Sequence, residues 1–249
     1  MRSAVVVFPG SNCDRDVEAA ILDMELGPVD MVWHDNADFP SPPDLVVLPG
    51  GFSYGDYLRS GALAAKSRII KAVKRFAEEG GLLLGICNGF QILTEAKLLP
   101  GALLPNANLR FICSKCHVRV ERNDTPFTVS FREKQVVQFP IAHHEGLYFL
   151  PDDELGDLER SGQVVFRYAD PETGEAGEPQ APNGSLRGIA GIVNKRGNVL
   201  GLMPHPERST LKNLIRGTDG RAFWQSIDEH FKDPGLTAAA TPGAREEKR

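Results

Sequence analysis

With 249 residues, 41% of them hydrophobic and 24% charged, the chain can bury a full core without disulfide or metal staples, and its length allows one large domain or two small ones. A formal charge of −5 offers no general attraction for phosphate backbones, so nucleic acid is not an expected partner. There is no run of about 18 apolar residues and no basic leader entering an apolar stretch, and four cysteines are too few for a secreted disulfide framework; a soluble, cytoplasmic protein with reduced thiols and no membrane association is expected.

In chain order, residues 4–8 are an apolar run closed by Pro9-Gly10-Ser11-Asn12, a first strand entering a loop. A helix follows, capped by Asn12 or Asp14, with Val17, Ala20, Ile21 and Met24 at i, i+3, i+4 and i+7 as its inner stripe. Residues 29–33 form a second strand, the proline-rich 39–43 segment blocks a helix, and 44–48 form a third strand. It runs into Pro49-Gly50-Gly51-Phe52-Ser53-Tyr54-Gly55-Asp56-Tyr57, too glycine-rich for an element interior and placed where open α/β sheets carry ligand loops. Residues 62–79 read as an amphipathic helix with Ile69, Val73, Phe76 and Ala77 on one face and Gly80 as its C-cap. Residues 82–86 are apolar on both alternating faces, as a strand covered on each side must be, and Phe90, Leu93, Thr94 and Lys97 then repeat at helical spacing.

The alternation of strand and helix predicts a mostly parallel sheet with helices on both faces. From 111 to 203 the chain is β-rich and turn-rich: Val118 and Val120 alternate with Arg119 and Glu121, and 127–131, 136–140 and 164–168 read as strands. A loop covers 169–188, and a hairpin joins 189–193 to 199–203 through Asn194-Lys195-Arg196-Gly197-Asn198. Residues 221–231 form a last helix with Ala222, Phe223, Ile227 and His230 inward. The expected organisation is one doubly wound α/β domain over 1–233, with the β-rich section added to it, and a disordered tail over 234–249 with too few apolar residues to pack.

The chemistry centres on Gly80-Gly81-Leu82-Leu83-Leu84-Gly85-Ile86-Cys87-Asn88-Gly89-Phe90-Gln91-Ile92-Leu93. A sharp strand-to-helix turn needs small residues beside the nucleophile, which Gly85 and Gly89 supply, and it raises Cys87 at a helix N-terminus whose dipole favours thiolate. A cysteine on such an elbow still needs a base, because a thiol is largely protonated at neutral pH. Met203-Pro204-His205-Pro206-Glu207 offers one: a residue before proline is pushed toward extended conformations, and in an extended chain His205 and Glu207 point the same way, about 6.6 Å apart at about 3.3 Å per residue. The carboxylate then fixes the imidazole tautomer, and the imidazole activates the thiol. The order Cys, His, Glu differs from that of α/β-hydrolases, where the acid precedes the histidine. Donors for a developing oxyanion are the backbone N–H of Asn88 and the Gly50-Gly51 loop.

These stretches, with Leu58-Arg59, Pro182-Asn183-Gly184-Ser185, Arg208 and Pro9-Gly10-Ser11-Asn12-Cys13-Asp14, resemble the class I, triad-type glutamine amidotransferases, and among them the glutaminase subunits of phosphoribosylformylglycinamidine synthases. The resemblance covers residues 3–231. It implies a flavodoxin-like fold, a nucleophile at Cys87, a His205–Glu207 pair and L-glutamine held in part by Gln91. It further implies ammonia delivered to a separate synthetase subunit, with a small third subunit as a possible member. That synthetase converts formylglycinamide ribonucleotide to formylglycinamidine ribonucleotide in purine biosynthesis. No cofactor is implied for this subunit; ATP and magnesium are expected in the synthetase. One departure is His144, in His143-His144-Glu145-Gly146, where the family more usually has glycine.

Blander readings stand beside these. A stand-alone cysteine hydrolase often carries histidine directly after its nucleophile, where this chain has Asn88, and a binding module with a vestigial cysteine is the second rival. Cys113-Ser114-Lys115-Cys116-His117 formally matches a haem-attachment signature and, with His143 and His144, a zinc set; alternation makes it a strand with two ordinary thiols. Cys13 reads as a packing residue, and Asp56 and Arg59 as exposed charges or partner surface.

Overall fold

The structure is a computed structural model describing residues 1–210, 217–233 and 235–238. Among the described residues, the eleven strands are β1 (Ser3–Val7), β2 (Val29–Trp33), β3 (Leu45–Leu48), β4 (Leu82–Ile86), β5 (Ala102–Leu104), β6 (Ile112–Val120), β7 (Val136–His143), β8 (Leu147–Phe149), β9 (Val164–Tyr168), β10 (Ile189–Val193) and β11 (Val199–Leu202). The helices are α1 (Asp14–Asp23), α2 (Ile70–Glu78), α3 (Asn88–Glu95), α4 (Asp152–Arg160), α5 (Gly220–Lys232) and the single turn α6 (Gly235–Ala238). The remainder of the expected 234–249 tail lies outside the described residues.

Nine strands form one sheet in the order β2-β1-β3-β4-β11-β10-β9-β6-β7. From β2 to β11 every neighbour is parallel, in the flavodoxin-like order; from β11 to β7 every neighbour is antiparallel. The β-rich section is thus an extension of the same sheet. β3, β4, β10 and β11 are buried along their whole length, which explains their unbroken apolar runs. The chain leaves β1 toward β2 on one side and returns through β3 on the other. This is the topological switch at which the C-terminal strand ends leave a crevice.

Several local expectations change. The helix expected over 62–79 is broken: residues 64–66 make one 3₁₀ turn, Ser67 is extended with its hydroxyl on Tyr54 Oη (2.9 Å), and α2 starts only at Ile70. Lys97 does not share the inner face of α3; it lies beyond the helix end, exposed and left-handed at φ 62°. Residues 127–131 are not a strand, because the Thr125 and Thr128 hydroxyls take up local backbone N–H groups, folding the segment into turns that bury Phe127 and Phe131. The N-cap of α1 is Cys13, with no side-chain capping bond, rather than Asn12 or Asp14. α4 escaped the periodicity, although Pro151 before it and Asp152, Asp153 and Glu154 in its first turn are helix-start signals; Leu155 and Leu158 are its buried face.

Two glycines permit the strand-to-helix turn after β4. A Cβ on Gly85 would meet Leu93 Cδ1 at 2.5 Å, and one on Gly89 would land on the Leu48 carbonyl oxygen. Gly89→Ala is therefore expected to destabilise the fold by about 1–3 kcal/mol through overpacking against β3 backbone, read as a lowered thermal midpoint; an unchanged midpoint would show that α3 shifts freely.

Candidate active site

Four neighbouring parallel strands, β1, β3, β4 and β11, end on one side of the sheet, and each exit loop contributes to one site. Cys87 follows β4 with φ 51° and ψ −105°, a costly conformation for a non-glycine residue of the kind that marks functional turns. Its N–H is taken by Leu202 O (2.8 Å), and its thiol faces Ala142 O at 3.7 Å. The Cys87 carbonyl accepts from Phe90 and Gln91 N–H, opening α3.

His205 and Glu207 follow β11 and are buried to 1% exposure each, with His205 Nδ1 2.6 Å from Glu207 Oε1. The pair forms by a different route from the extended chain expected of the sequence. Pro206 opens a 3₁₀ turn over Pro206–Ser209, as proline does at a first helical position, while His205 stays non-helical at φ −107° and ψ 85°. His205 N–H is anchored on Pro140 O at 2.9 Å. With Nδ1 committed to Glu207, Nε2 has no hydrogen-bond partner and is left for Cys87. Burial opposes a charged imidazole here, but the Glu207 carboxylate and Cys87 outweigh it and raise the His205 pKa.

Gly50 packs against both residues: a Cβ there would stand 2.7 Å from His205 Cε1 and 3.4 Å from Cys87 Cβ. Gly51, at φ 138°, approaches the first loop so closely that a Cβ would sit 2.7 Å from Asn12 N. Asn88 N–H is at the start of α3, among the amides a helix cannot satisfy internally. The Asn88 side chain accepts from Ser53 N–H (3.3 Å) and donates to Gln91 Oε1 (2.9 Å); Gln91 Nε2 donates in turn to Glu145 O (2.5 Å).

The structure thus gathers Cys87, His205, Glu207, Gly50, Asn88 and Gln91 at one end of the sheet, and adds residues that sequence reasoning passed over. Asn106 zips the segment after β7, its Oδ1 accepting from Gly146 N–H and from His143 Nδ1, while Asn183 donates to Gly146 O. Burial first, then His205, hold the His143 pKa down at about 4, so this imidazole is neutral. His144 is exposed and is not left-handed, so the loop does not require glycine there. The signal available for Asn183 was its place in the Pro-Asn-Gly-Ser stretch; nothing local marked Asn106. Cys113 is exposed and Cys116 buried, on opposite faces of β6, so the formal haem or zinc signature does not converge. Among the described residues, the one group of metal-ligating side chains close enough to share an ion is Cys13, His205 and Glu207, within 4.8 Å. There Glu207 Oε1 is bound to His205 Nδ1, and an Arg208 guanidinium stands 2.9 Å from Cys13 Sγ, putting a positive charge beside the group.

Residues 1–227 match the family described as CobB/CobQ-like glutamine amidotransferase domain. The chain belongs to this glutamine amidotransferase family. Its similarity to the phosphoribosylformylglycinamidine synthase subunit PurQ of Rhodopseudomonas palustris is 52% identity over 231 residues, 93% of this chain and 98% of that one. PurQ of Aquifex aeolicus is 50% identical over 227 residues, 91% of this chain and 99% of that one. Among solved structures, a chain of PurLQS from Thermotoga maritima superposes with TM-score 0.80 and 45% identity, covering 92% of this amidotransferase and 98% of that chain. No described helix of the amidotransferase is long and apolar enough to cross a membrane.

Beside the site, burial and then the Glu145 carboxylate push Asp56 up to about 6. Unfolded, this carboxyl ionises near about pH 4. The folded state therefore binds more protons between those values, and this group's contribution to stability falls as pH rises through the window. Asn tolerates the left-handed backbone at position 56 (φ 55°). Asp56→Asn is accordingly expected to raise the thermal midpoint at about pH 7.5 and to leave it unchanged near about pH 4; an equal shift at both would contradict this.

Proposed function

We propose that the chain is the glutaminase subunit of a phosphoribosylformylglycinamidine synthase and that Cys87, His205 and Glu207 perform its chemistry. The observation that carries the residue assignment is the buried His205–Glu207 pair beside a cysteine on a strained elbow, with Gly50 packed close against both. Cys87 Sγ attacks the side-chain amide carbon of glutamine as its proton passes to His205 Nε2. Glu207 holds the resulting imidazolium in place. The oxyanion is received by Asn88 N–H and the Gly50-Gly51 backbone, and collapse of the adduct expels ammonia, protonated by His205. Water deprotonated by His205 then cleaves the γ-glutamyl thioester, releasing glutamate and restoring the thiol. One Gln91 Nε2 hydrogen is bound by Glu145 O, leaving the other to contact the substrate.

Ammonia passes to a synthetase subunit that holds ATP and magnesium and converts formylglycinamide ribonucleotide to formylglycinamidine ribonucleotide in purine biosynthesis. A small third subunit completes the assembly, consistent with the similar chain belonging to a complex named PurLQS. The subunit needs no cofactor of its own and acts in the cytoplasm.

In the reconstituted complex, Cys87→Ala is expected to lower glutamine-dependent turnover by about a thousandfold or more while ammonia-dependent turnover stays at the wild-type rate. Retention of glutamine-dependent turnover would refute the nucleophile, and loss of both activities would show damage to assembly instead.

A further inference from the structure

The relay leaves one oxygen unaccounted for. Glu207 Oε1 binds His205, whereas Oε2 is buried with no hydrogen-bond partner. The next residue, Arg208, carries a permanent cation capable of bidentate pairing with carboxylates, and a lone carboxylate oxygen one residue away is an obvious target for it. Instead the guanidinium is turned toward the first loop: Nε donates to Asp16 Oδ2 at 2.8 Å, and Nη2 to Cys13 Sγ at 2.9 Å.

Cys13 is placed to serve this purpose. It is buried, its N–H binds Gly50 O (3.4 Å), and its thiol donates to Asn12 Oδ1 (3.3 Å), so the sulfur presents lone pairs to Arg208. Its sulfur also lies within 4.8 Å of the Glu207 carboxylate and the His205 ring nitrogen. Burial first, and Glu207 next, keep the Cys13 thiol protonated, so no second anion competes for the imidazolium. Asp16 sits in the first turn of α1, fixed relative to Cys13 by that helix.

We propose that Cys13 and Asp16 are positioning residues that hold the Arg208 guanidinium away from the unpaired oxygen of Glu207, keeping that carboxylate committed to His205. Released, the guanidinium would pair with Glu207 and weaken its stabilisation of the imidazolium. The charged and titratable groups around the pair are Cys87 after β4, neutral His143 at the end of β7, Cys13 and Asp16 from the first loop and α1, and Arg208 itself.

The inference rests on the proposed relay, and the test separates the two. In the reconstituted complex, Asp16→Asn is expected to move the acidic limb of kcat/KM for glutamine, where His205 must lose its proton to act as base, to lower pH by about one unit, with ammonia-dependent turnover unchanged. Adding Arg208→Gln to that variant removes the competing cation, and the limb should return to its wild-type position. Cys13→Ala, which keeps the Asp16 contact, should move the limb in the same direction by less, and decides the question if Asp16→Asn does not assemble. An unmoved limb in the single variants, or a shifted limb that Arg208→Gln does not restore, overturns the clamp while leaving the Cys87 result to judge the relay.

Discussion

β4 and β11 run parallel with Ile86 beside Leu202, so Cys87 and Met203 leave the sheet as neighbours, about 4.8 Å apart by strand spacing. Cys87 N–H on Leu202 O extends that ladder by one bond into the elbow itself. The proposed site hangs on this register, because a slip of one residue would exchange the faces of the strand and carry the thiol away from the imidazole. The whole-length burial of both strands makes such a slip expensive. The glycine at position 50 then lets the loop after β3 pack closely against both Cys87 and His205, where a Cβ would collide with the imidazole.

The antiparallel half of the sheet contributes as much to the site as the parallel half. β7 lies four strands from β11, about 19 Å in a flat sheet, yet Pro140 O accepts from His205 N–H and Ala142 O faces the thiol. The sheet must therefore curl back over its own strand ends, and the register shifts between β9 and β10 are where extra bending enters. Curling brings the 143–146 segment over α3, where Glu145 O orients the Gln91 amide. Asn106 and Asn183, buried and fully engaged, hold that segment by satisfying its backbone.

Much of the candidate site was legible because its signals are local. Cys87 between two glycines, and His205 between two prolines two residues before Glu207, carry signals within a few positions, and both stretches lie where the sequence analysis placed them. Periodicity likewise located α1 and the strands β1 to β4; the unbroken apolar runs of β3 and β4 reflect burial along their whole length. It failed where side chains redirect the backbone: at Ser67, tied to Tyr54, and at Thr125 and Thr128, whose hydroxyls compete with strand pairing. The extended His-Pro-Glu reading failed for a related reason, since the proline that holds His205 extended also starts a 3₁₀ turn.

The amino-acid sequence by itself singled out the proposed nucleophile, its proposed base and carboxylate, and the glycines that make room for them, because each depends on conformational preferences spanning a few residues. Tertiary structure alone decided what surrounds them. That Arg208 turns to Asp16 and Cys13, that Asn106 and Asn183 grip the loop bearing Glu145, and that β7 reaches the far end of the sheet all depend on segments 37 to 195 residues apart. No local pattern encodes those meetings, since they arise from how a twisted nine-stranded sheet closes upon itself.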